Sequence, residues 1–284
     1  MGKVIHENCT NDVWLLLLKY LLREGISVNP RGLACYESLG VQTIIPMDYP
    51  IVTIAPRKLG YRFLFAEAWW ILTGRNDVAS IKPYSARISQ FSDDGETFFG
   101  AYGPKIQEQL SYVIDKLVSD PHSRQAVINI WREYPPQSKD YPCTLSIQFM
   151  IRNDKLYCID TMRSSDAWLG WPYDIFNFSM LSAFIALELK KYTGIKYNLG
   201  NLIMNIGSSH LYIDNFVDAN ECVANPWPVM YKHAEPFLYE PLSPTKRWDS
   251  AQKLVEHLLC IAEQRVDDLE DNWCSELAAG IYNK

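Results

Sequence analysis

From Ile175 to Tyr192 apolar residues fall on several faces of a helix instead of one stripe. A helix that is apolar nearly all round must be enclosed on most sides, so this segment predicts a long buried central helix around which the rest of the chain is arranged. Apolar periodicity predicts further helices near Asn11 to Arg23, Arg62 to Leu72, Ile106 to Val118 and Ser250 to Gln264. Strand signals lie between them. Ala126 to Trp131 alternates and is β-rich, Leu145 to Ile151 and Leu156 to Met162 flank the turn Asn153-Asp154, and Leu199 to Ile206 precedes Gly207-Ser208-Ser209. The expectation is an α+β fold: a large mixed β-sheet covered by helices, with the long helix buried at its centre. No Pro/Gly/Ser-rich linker divides the chain, so residues 1–284 are read as one domain, with Pro-rich Asn225 to Pro244 as an irregular excursion before the last helix.

With 284 residues, 48% of them hydrophobic and 21% charged, a sizeable core is within reach. A net charge of −6 and a pI near 5.4 exclude a general nucleic-acid binder. A small anion remains acceptable, because a few converging arginines reverse the field locally. The seven cysteines, Cys9, Cys35, Cys143, Cys158, Cys222, Cys260 and Cys274, form no Cys-x-x-Cys pair. This suits reduced thiols in a cytoplasmic protein better than a disulfide framework, and no metal site is expected. The apolar stretch Val13 to Leu18 is too short for a signal segment, is broken at Lys19 and lacks a basic leader. His6 stands where a myristoylation signal needs Ser or Thr. No run is long enough for a membrane span.

Taken one at a time, the reactive residues say little. Cys143 after Pro142 reads first as a packed thiol, His210 as a structural histidine, and each arginine as a solvated charge. Glu67, just before Trp69-Trp70, is different, because a carboxylate on the apolar side of a helix needs a partner or a raised pKa.

Taken in order, they form a pattern: Pro30-Arg31-Gly32, Phe65 to Gly74 with Glu67 inside it, Gly100-Ala101-Tyr102-Gly103, Asp120-Pro121-His122-Ser123-Arg124-Gln125, Tyr141-Pro142-Cys143-Thr144, Arg163-Ser164-Ser165-Asp166, Leu169 to Ile175, and Gly207 to Tyr212. This succession resembles the thymidylate synthase family, from about Asn29 to about Tyr212, with nearly the family's spacing. The resemblance implies a thymidylate synthase-like catalytic domain in which Cys143 is the nucleophile that adds to C6 of a pyrimidine, since C5 alone is a poor nucleophile. Arg31, Arg163 and Ser164 match phosphate ligands, and Arg124 matches one supplied by the neighbouring subunit of a homodimer with shared active sites. Guanidinium forks suit a phosphate monoester, hence a nucleotide. Positive charge near Cys143 is expected to favour its thiolate. Asp166, His210 and Tyr212 match nucleotide-binding positions, while Glu67, Tyr102 and His210 match catalytic ones. The co-substrate implied is 5,10-methylenetetrahydrofolate. Arg57 lies near a folate-facing Lys position, and Ile88, Asp166, Leu169, Gly170 and Tyr173 match positions lining the pterin and base.

One substitution bears on the base. Where thymidylate synthases carry Asn, this chain carries Asp174, which resembles the cytosine-using branch, the deoxycytidylate hydroxymethylases. Uracil offers an N3–H donor and an O4 acceptor that an amide complements, whereas cytosine offers an N3 acceptor and an N4 amino donor. A carboxyl group can accept from the amino group and share a proton with N3. Asp174 also suits the N-cap of a helix opening at Ile175. Three departures from the family stand out. Gln125 replaces a second Arg, Arg87 to Ser92 lacks a pair of indoles, and Ile281 to Lys284 lacks an apolar closing tail. The last two features shield the exocyclic methylene from water in methylating enzymes, so their absence implies capture by water, with Glu67 as the group that positions or deprotonates it. The reaction implied is hydroxymethylation of dCMP, in host cytoplasm if the source is a virus. dCMP methylation, CMP hydroxymethylation and an inactive nucleotide sensor remain open at this point.

Overall fold

The computed structural model describes residues 2–228 and 247–265. Among them, strands β1 (Val4–His6), β2 (Ile26–Val28), β3 (Cys35–Pro46), β4 (Val127–Asn129), β5 (Thr144–Arg152), β6 (Lys155–Asp166) and β7 (Asn198–Tyr212) form one sheet. Its order is β1-β3-β7-β6-β5-β4, with β2 paired to β3. The β1/β3 and β6/β7 pairs are parallel and the rest antiparallel, so the sheet is mixed as expected.

The helices are α1 (Thr10–Glu24), α2 (Tyr61–Leu72), α3 (Val78–Ile81), α4 (Tyr102–Ser119), α5 (Trp171–Thr193), α6 (Phe216–Ala224) and α7 (Ala251–Ala262). The long apolar helix is α5, and its core residues Phe176, Phe178, Leu181 and Ile185 are essentially inaccessible. Each such side chain stabilises by about 1.5–3 kcal/mol when withdrawn from water. Trp171 of α5 donates its indole N–H to Thr43 of β3 at 3.2 Å, and Trp14 of α1 donates to the Ala167 carbonyl at 2.7 Å. These bonds fix both helices against the sheet face that buries Val41, Thr43 and Ile45 of β3 and Leu202 and Met204 of β7.

Several boundaries differ from the sequence reading. Helix α5 opens at Trp171, a full turn before Ile175, with Gly170 at the capping position. Asp174 therefore lies inside the helix and does not cap it, because Pro172 fits the first turn of a helix and lets it start early. Helix α4 begins at Tyr102 and not at Ile106, so it carries Tyr102 in its first turn. Strand β7 does not end at Ile206. It continues through Gly207-Ser208-Ser209 to Tyr212. Gly207 is a close-approach residue there, since a Cβ would meet the Arg163 carbonyl oxygen of β6 at 2.8 Å.

Strand β3 was not anticipated. It pairs with β7 along nearly its whole length. The turn at Asn153-Asp154 is as read: both residues are left-handed, at φ 51° and 56°, and link β5 to β6 as a hairpin. Cys274, the terminal Ile281 to Lys284, and the Pro-rich stretch beyond Pro228 lie outside the described residues. Cys9, Cys35, Cys143, Cys158, Cys222 and Cys260 are free thiols. Among the described residues no helix is long and apolar enough to cross a membrane.

Candidate active site

Cys143 precedes β5, and β6 presents Arg163 and Ser164 beside it. Arg163 donates from Nε to the Pro142 carbonyl at 3.0 Å and from Nη2 to the Tyr141 carbonyl at 3.0 Å, and Nη1 donates to Ser164 Oγ at 3.0 Å. The Cys143 backbone carbonyl accepts from Arg163 N–H at 2.8 Å. One arginine thus clamps the nucleophile's loop. Arg163 Nη2 and Ser164 Oγ each approach Cys143 Sγ at 3.9 Å. The guanidinium favours the thiolate, as expected, but burial outweighs it, and the neighbouring Asp174 and Asp140 oppose ionisation too, so the thiol is pushed up. The expectation of a depressed Cys143 does not hold in the free protein. Burial is what overturns it, with the acids nearby adding to the effect.

Glu67 on α2 meets both conditions set for a carboxylate among apolar neighbours. Asn177 Nδ2 on α5 donates to Glu67 Oε2 at 2.8 Å, and burial pushes Glu67 up to about 7 while that bond holds it down. Asp174 lies one helical turn before Asn177. Burial first, then the charges of Glu67 and Asp166, hold its carboxyl well above the usual carboxylate range. Tyr102 stacks on Phe178 with centroids 6.1 Å apart and an angle of 12°, and accepts from Thr144 N–H at 3.3 Å. Burial and the charges of Asp174 and Cys143 keep it a neutral phenol.

Asp166 ends β6 in register with His210 of β7. Its Oδ1 accepts from Trp168 N–H at 2.8 Å and Leu169 N–H at 3.0 Å, and its carbonyl accepts from Gly170 N–H at 3.1 Å. Burial raises the carboxyl, while these amides, His210 and Arg57 oppose the rise. The chain turns here from the sheet into α5, which brings Asp166, Gly170 and Asp174 together: a Cβ on Gly170 would stand 3.5 Å from Asp174 Oδ2. The His210 and Tyr212 rings meet edge to face at 5.1 Å. Arg31, at φ 55° in a short 3-10 turn, reaches Tyr212, whose hydroxyl burial raises and Arg31 lowers.

Arg57 is turned inward. Nη2 donates to the Trp168 carbonyl at 2.8 Å, the guanidinium lies 4.5 Å from the centroid of the Trp168 ring, and its buried Nε has no partner. Tyr173 sits beside it, accepts from Gly60 N–H at 3.3 Å, and packs on Phe63. Leu169 is half exposed next to them. Ile88 is partly buried in the 3-10 segment Ala86–Phe91. Arg124 has an exposed side chain, and its carbonyl accepts from Gln148 Nε2 at 2.8 Å.

Sequence reasoning missed Asn177, Thr144 and Asp160. Asn177 was legible in principle, since it follows Asp174 at i+3 and so shares its helix face. Thr144 follows Cys143 directly. Asp160 gave no signal beyond being an acid in an apolar strand.

The cluster unites a partly buried thiol held by an arginine, carboxyls raised by burial, a neutral phenol and aromatic neighbours, which suits covalent addition to a flat, weakly electrophilic ring. The thymidylate synthase family profile matches residues 13–232. The deoxyuridylate hydroxymethyltransferase of Bacillus phage SP01 is 30% identical over 228 residues, a match covering 72% of this chain and 57% of that relative. The chain therefore spans a little over half the length of that relative.

Proposed function

The chain belongs to the thymidylate synthase family, and on that premise we propose that it transfers a one-carbon unit from 5,10-methylenetetrahydrofolate to C5 of dCMP with addition of water, giving 5-hydroxymethyl-dCMP and tetrahydrofolate. The observation that carries the choice of base is the Asp174 carboxyl, held neutral by burial and by the charges of Glu67 and Asp166. A neutral carboxyl can donate to cytosine N3, share its proton with that nitrogen, and accept from the N4 amino group, whereas uracil N3 already carries a proton. The family's use of methylenetetrahydrofolate fits the polar, partnerless Nε of Arg57 and the half-exposed Leu169 beside Tyr173. The folate supplies the carbon that C5 attacks.

In this reading the residues divide the work. Arg31, Arg163, Ser164 and Arg124 of a second subunit bind the phosphate. Cys143 adds through Sγ to C6 as its proton passes to solvent. C5 joins the folate carbon and then gives its own proton to solvent as tetrahydrofolate departs, and the phosphate's charge satisfies Arg163 once bound. Asp174 gives N3 a hydrogen bond, which draws electrons from C6 and eases that addition. Asp166, His210 and Tyr212 orient the nucleotide. Tyr102 stands over the reacting ring as a neutral hydrogen-bond donor. Glu67 takes a proton from the water that captures the exocyclic methylene, and its value of about 7 suits a base working near neutrality. Elimination of Cys143 then restores the aromatic ring.

The absence of an indole pair in Arg87 to Ser92 supports water over hydride as the final reactant. The phage relative's description as a hydroxymethyltransferase points the same way. It also motivates a second reading, since that relative is described as acting on deoxyuridylate: hydroxymethylation of dUMP. We take the protein to work as a homodimer of single catalytic domains spanning residues 1–284, in the cytoplasm. Mass spectrometry of the products from dCMP, CMP and dUMP, each with and without methylenetetrahydrofolate, tests these readings together. Hydroxymethyl-dCMP formed only with the folate is expected. A methylated product, or hydroxymethyl-dUMP as the preferred product, overturns the proposal.

A further inference from the structure

The reaction above leaves one buried carboxyl unused. Asp160 lies in the middle of β6, flanked by Ile147 of β5 and Met204 of β7, with no exposed surface. Thr144 lies beside its carboxyl, but neither oxygen has a well-formed hydrogen bond, and Asn177 Oδ1 is also buried without a partner. A partnerless carboxyl in mid-sheet is costly compared with an apolar side chain, so the position calls for a use.

Its placement suggests which. Strand β6 buries Leu156, Cys158, Asp160 and Met162 in alternation, on the face that packs against α5. Met162 lies opposite Thr144, the residue after Cys143. Thr144 in turn bonds Tyr102, and Tyr102 stacks on Phe178, one turn beyond Asp174 on α5. Asp160 therefore sits one pleat from the nucleophile's end of the sheet, beneath the first turns of the helix that carries Asp174.

The groups facing this pair are nearly all acids: Glu67 from α2, Asp166 and Cys158 from β6, Tyr102 from α4 and Cys143 ahead of β5. The cation nearest Cys143, Arg163, is turned to that thiol and to the carbonyls of Tyr141 and Pro142.

We infer that Asp160 is a positioning residue acting through Asp174, the two carboxyls forming one buried unit that keeps a proton in place for N3 of a cytosine. The inference rests on the dCMP reading above. Two acids in a poorly solvated cluster do not both ionise readily, and their titration belongs to the pair. Burial and the charge of Asp174 hold Asp160 well above the usual carboxylate range. The Tyr102 hydroxyl feels the charge of both carboxyls and accepts from Thr144 N–H, and Thr144 lies against Asp160, so Tyr102 and Thr144 stand between the two. As an O–H bond of Asp174 breaks, N3–H forms. The pair carries the negative charge until the product ring returns the proton. Uracil brings its own N3–H and gains nothing from this arrangement.

The test is the pH profile of kcat/KM for dCMP with Asp160→Asn and Asp160→Leu, each also placed on an Asp174→Asn background. The natural protein should lose activity on the alkaline side when the pair gives up its last proton. Without Asp160 a single carboxyl titrates earlier, so that limb moves to lower pH by at least about one unit. Activity just above neutrality should fall ~10-fold, with little change on the acid side. Asp160→Leu should retain its melting temperature, since an apolar side chain replaces a partnerless acid, and so it decides the matter if the Asn variant folds poorly. On the Asp174→Asn background neither change should move the profile further. Infrared difference spectra on adding dCMP to the natural protein should show a buried protonated carboxyl band that Asp160→Leu alters. An unmoved limb with dCMP turnover intact overturns this inference alone, as does a shift that persists without Asp174. Failure of the natural protein to turn over dCMP at any pH overturns the functional reading as well.

Discussion

Asn177 Nδ2 donates to Glu67 Oε2 over 2.8 Å, joining α5 to α2 one helical turn beyond Asp174. The bond favours the ionised form of Glu67, while burial opposes it, and the balance lies at about 7. Glu67 is thus poised between acid and base by two groups that come from helices far apart in sequence.

Its titration should be visible in both activity and stability. If Glu67 must be ionised to take a proton from water, kcat/KM rises with pH through about 7, and Glu67→Gln removes that limb along with at least ~100-fold of the rate. The stability effect has the opposite sense. The folded protein keeps a proton on Glu67 that the unfolded chain has lost between 4.5 and about 7, so stability falls across that window as pH rises, and the loss is complete above it. Glu67→Gln should therefore gain in stability relative to the natural protein as pH is raised, by on the order of 3 kcal/mol if the whole shift is expressed, with a matching rise in melting temperature. Parallel melting curves across the window would show the Glu67 assignment to be wrong.

Arg163 holds the Cys143 loop through the Pro142 and Tyr141 carbonyls and lies 3.9 Å from the sulfur. Its charge opposes the burial that raises the thiol. Arg163→Met should push Cys143 up further and slow its alkylation by iodoacetamide about 10-fold near neutrality. Nucleotide binding should weaken in the same variant. Equal alkylation rates would mean that Arg163 serves the loop and the phosphate alone.

Arg124 is exposed and is the proposed phosphate ligand of a second subunit. Cys143→Ser and Arg124→Ala should each be inactive, yet mixing the two proteins should restore part of the activity. In a mixed dimer one site joins an intact Cys143 to an intact Arg124. Subunit exchange can be followed by native mass spectrometry, and mixed dimers that form but remain inactive would rule out the shared site.

What the sequence made legible follows from how local each signal is. The apolar faces of α5 and the Asn153-Asp154 turn are written in adjacent residues, and both appear as expected. The mixed, helix-covered sheet was legible as a class. Strand β3 was missed because its half-buried residues Tyr36, Glu37 and Ser38 interrupt the apolar alternation, and its pairing with β7 is long-range. Gly207 was read as punctuation, although it marks a close approach of β7 to Arg163. At the site, ordered motifs pointed to Cys143, Arg163, Asp166 and Asp174, which do converge. Their protonation was less legible. Whether Cys143 is raised or lowered depends first on burial, and then on Arg163, Asp174 and Asp140, all of which are set by three-dimensional packing.

Asp174→Asn tests the choice of base most directly. The exchange nearly preserves size but removes the acid able to share a proton with cytosine N3, and the amide offers uracil the acceptor and donor it needs. A buried donor or acceptor left unpaired costs about 1–3 kcal/mol, so the ratio of kcat/KM for dCMP over dUMP should fall at least ~10-fold. The fold should survive. Asp174 lies within the first turns of α5 and does not cap it, so no capping bond is at stake. Its carboxyl is held neutral by burial and by the charges of Glu67 and Asp166, and an amide bears those surroundings without needing a proton. The folded protein keeps a proton on Asp174 that the unfolded chain gives up, so the natural protein loses stability from the ordinary carboxylate range upward, and Asp174→Asn should gain on it in melting temperature as pH rises from there. A well-folded variant with an unchanged dCMP to dUMP ratio would leave the cytosine assignment without its main support.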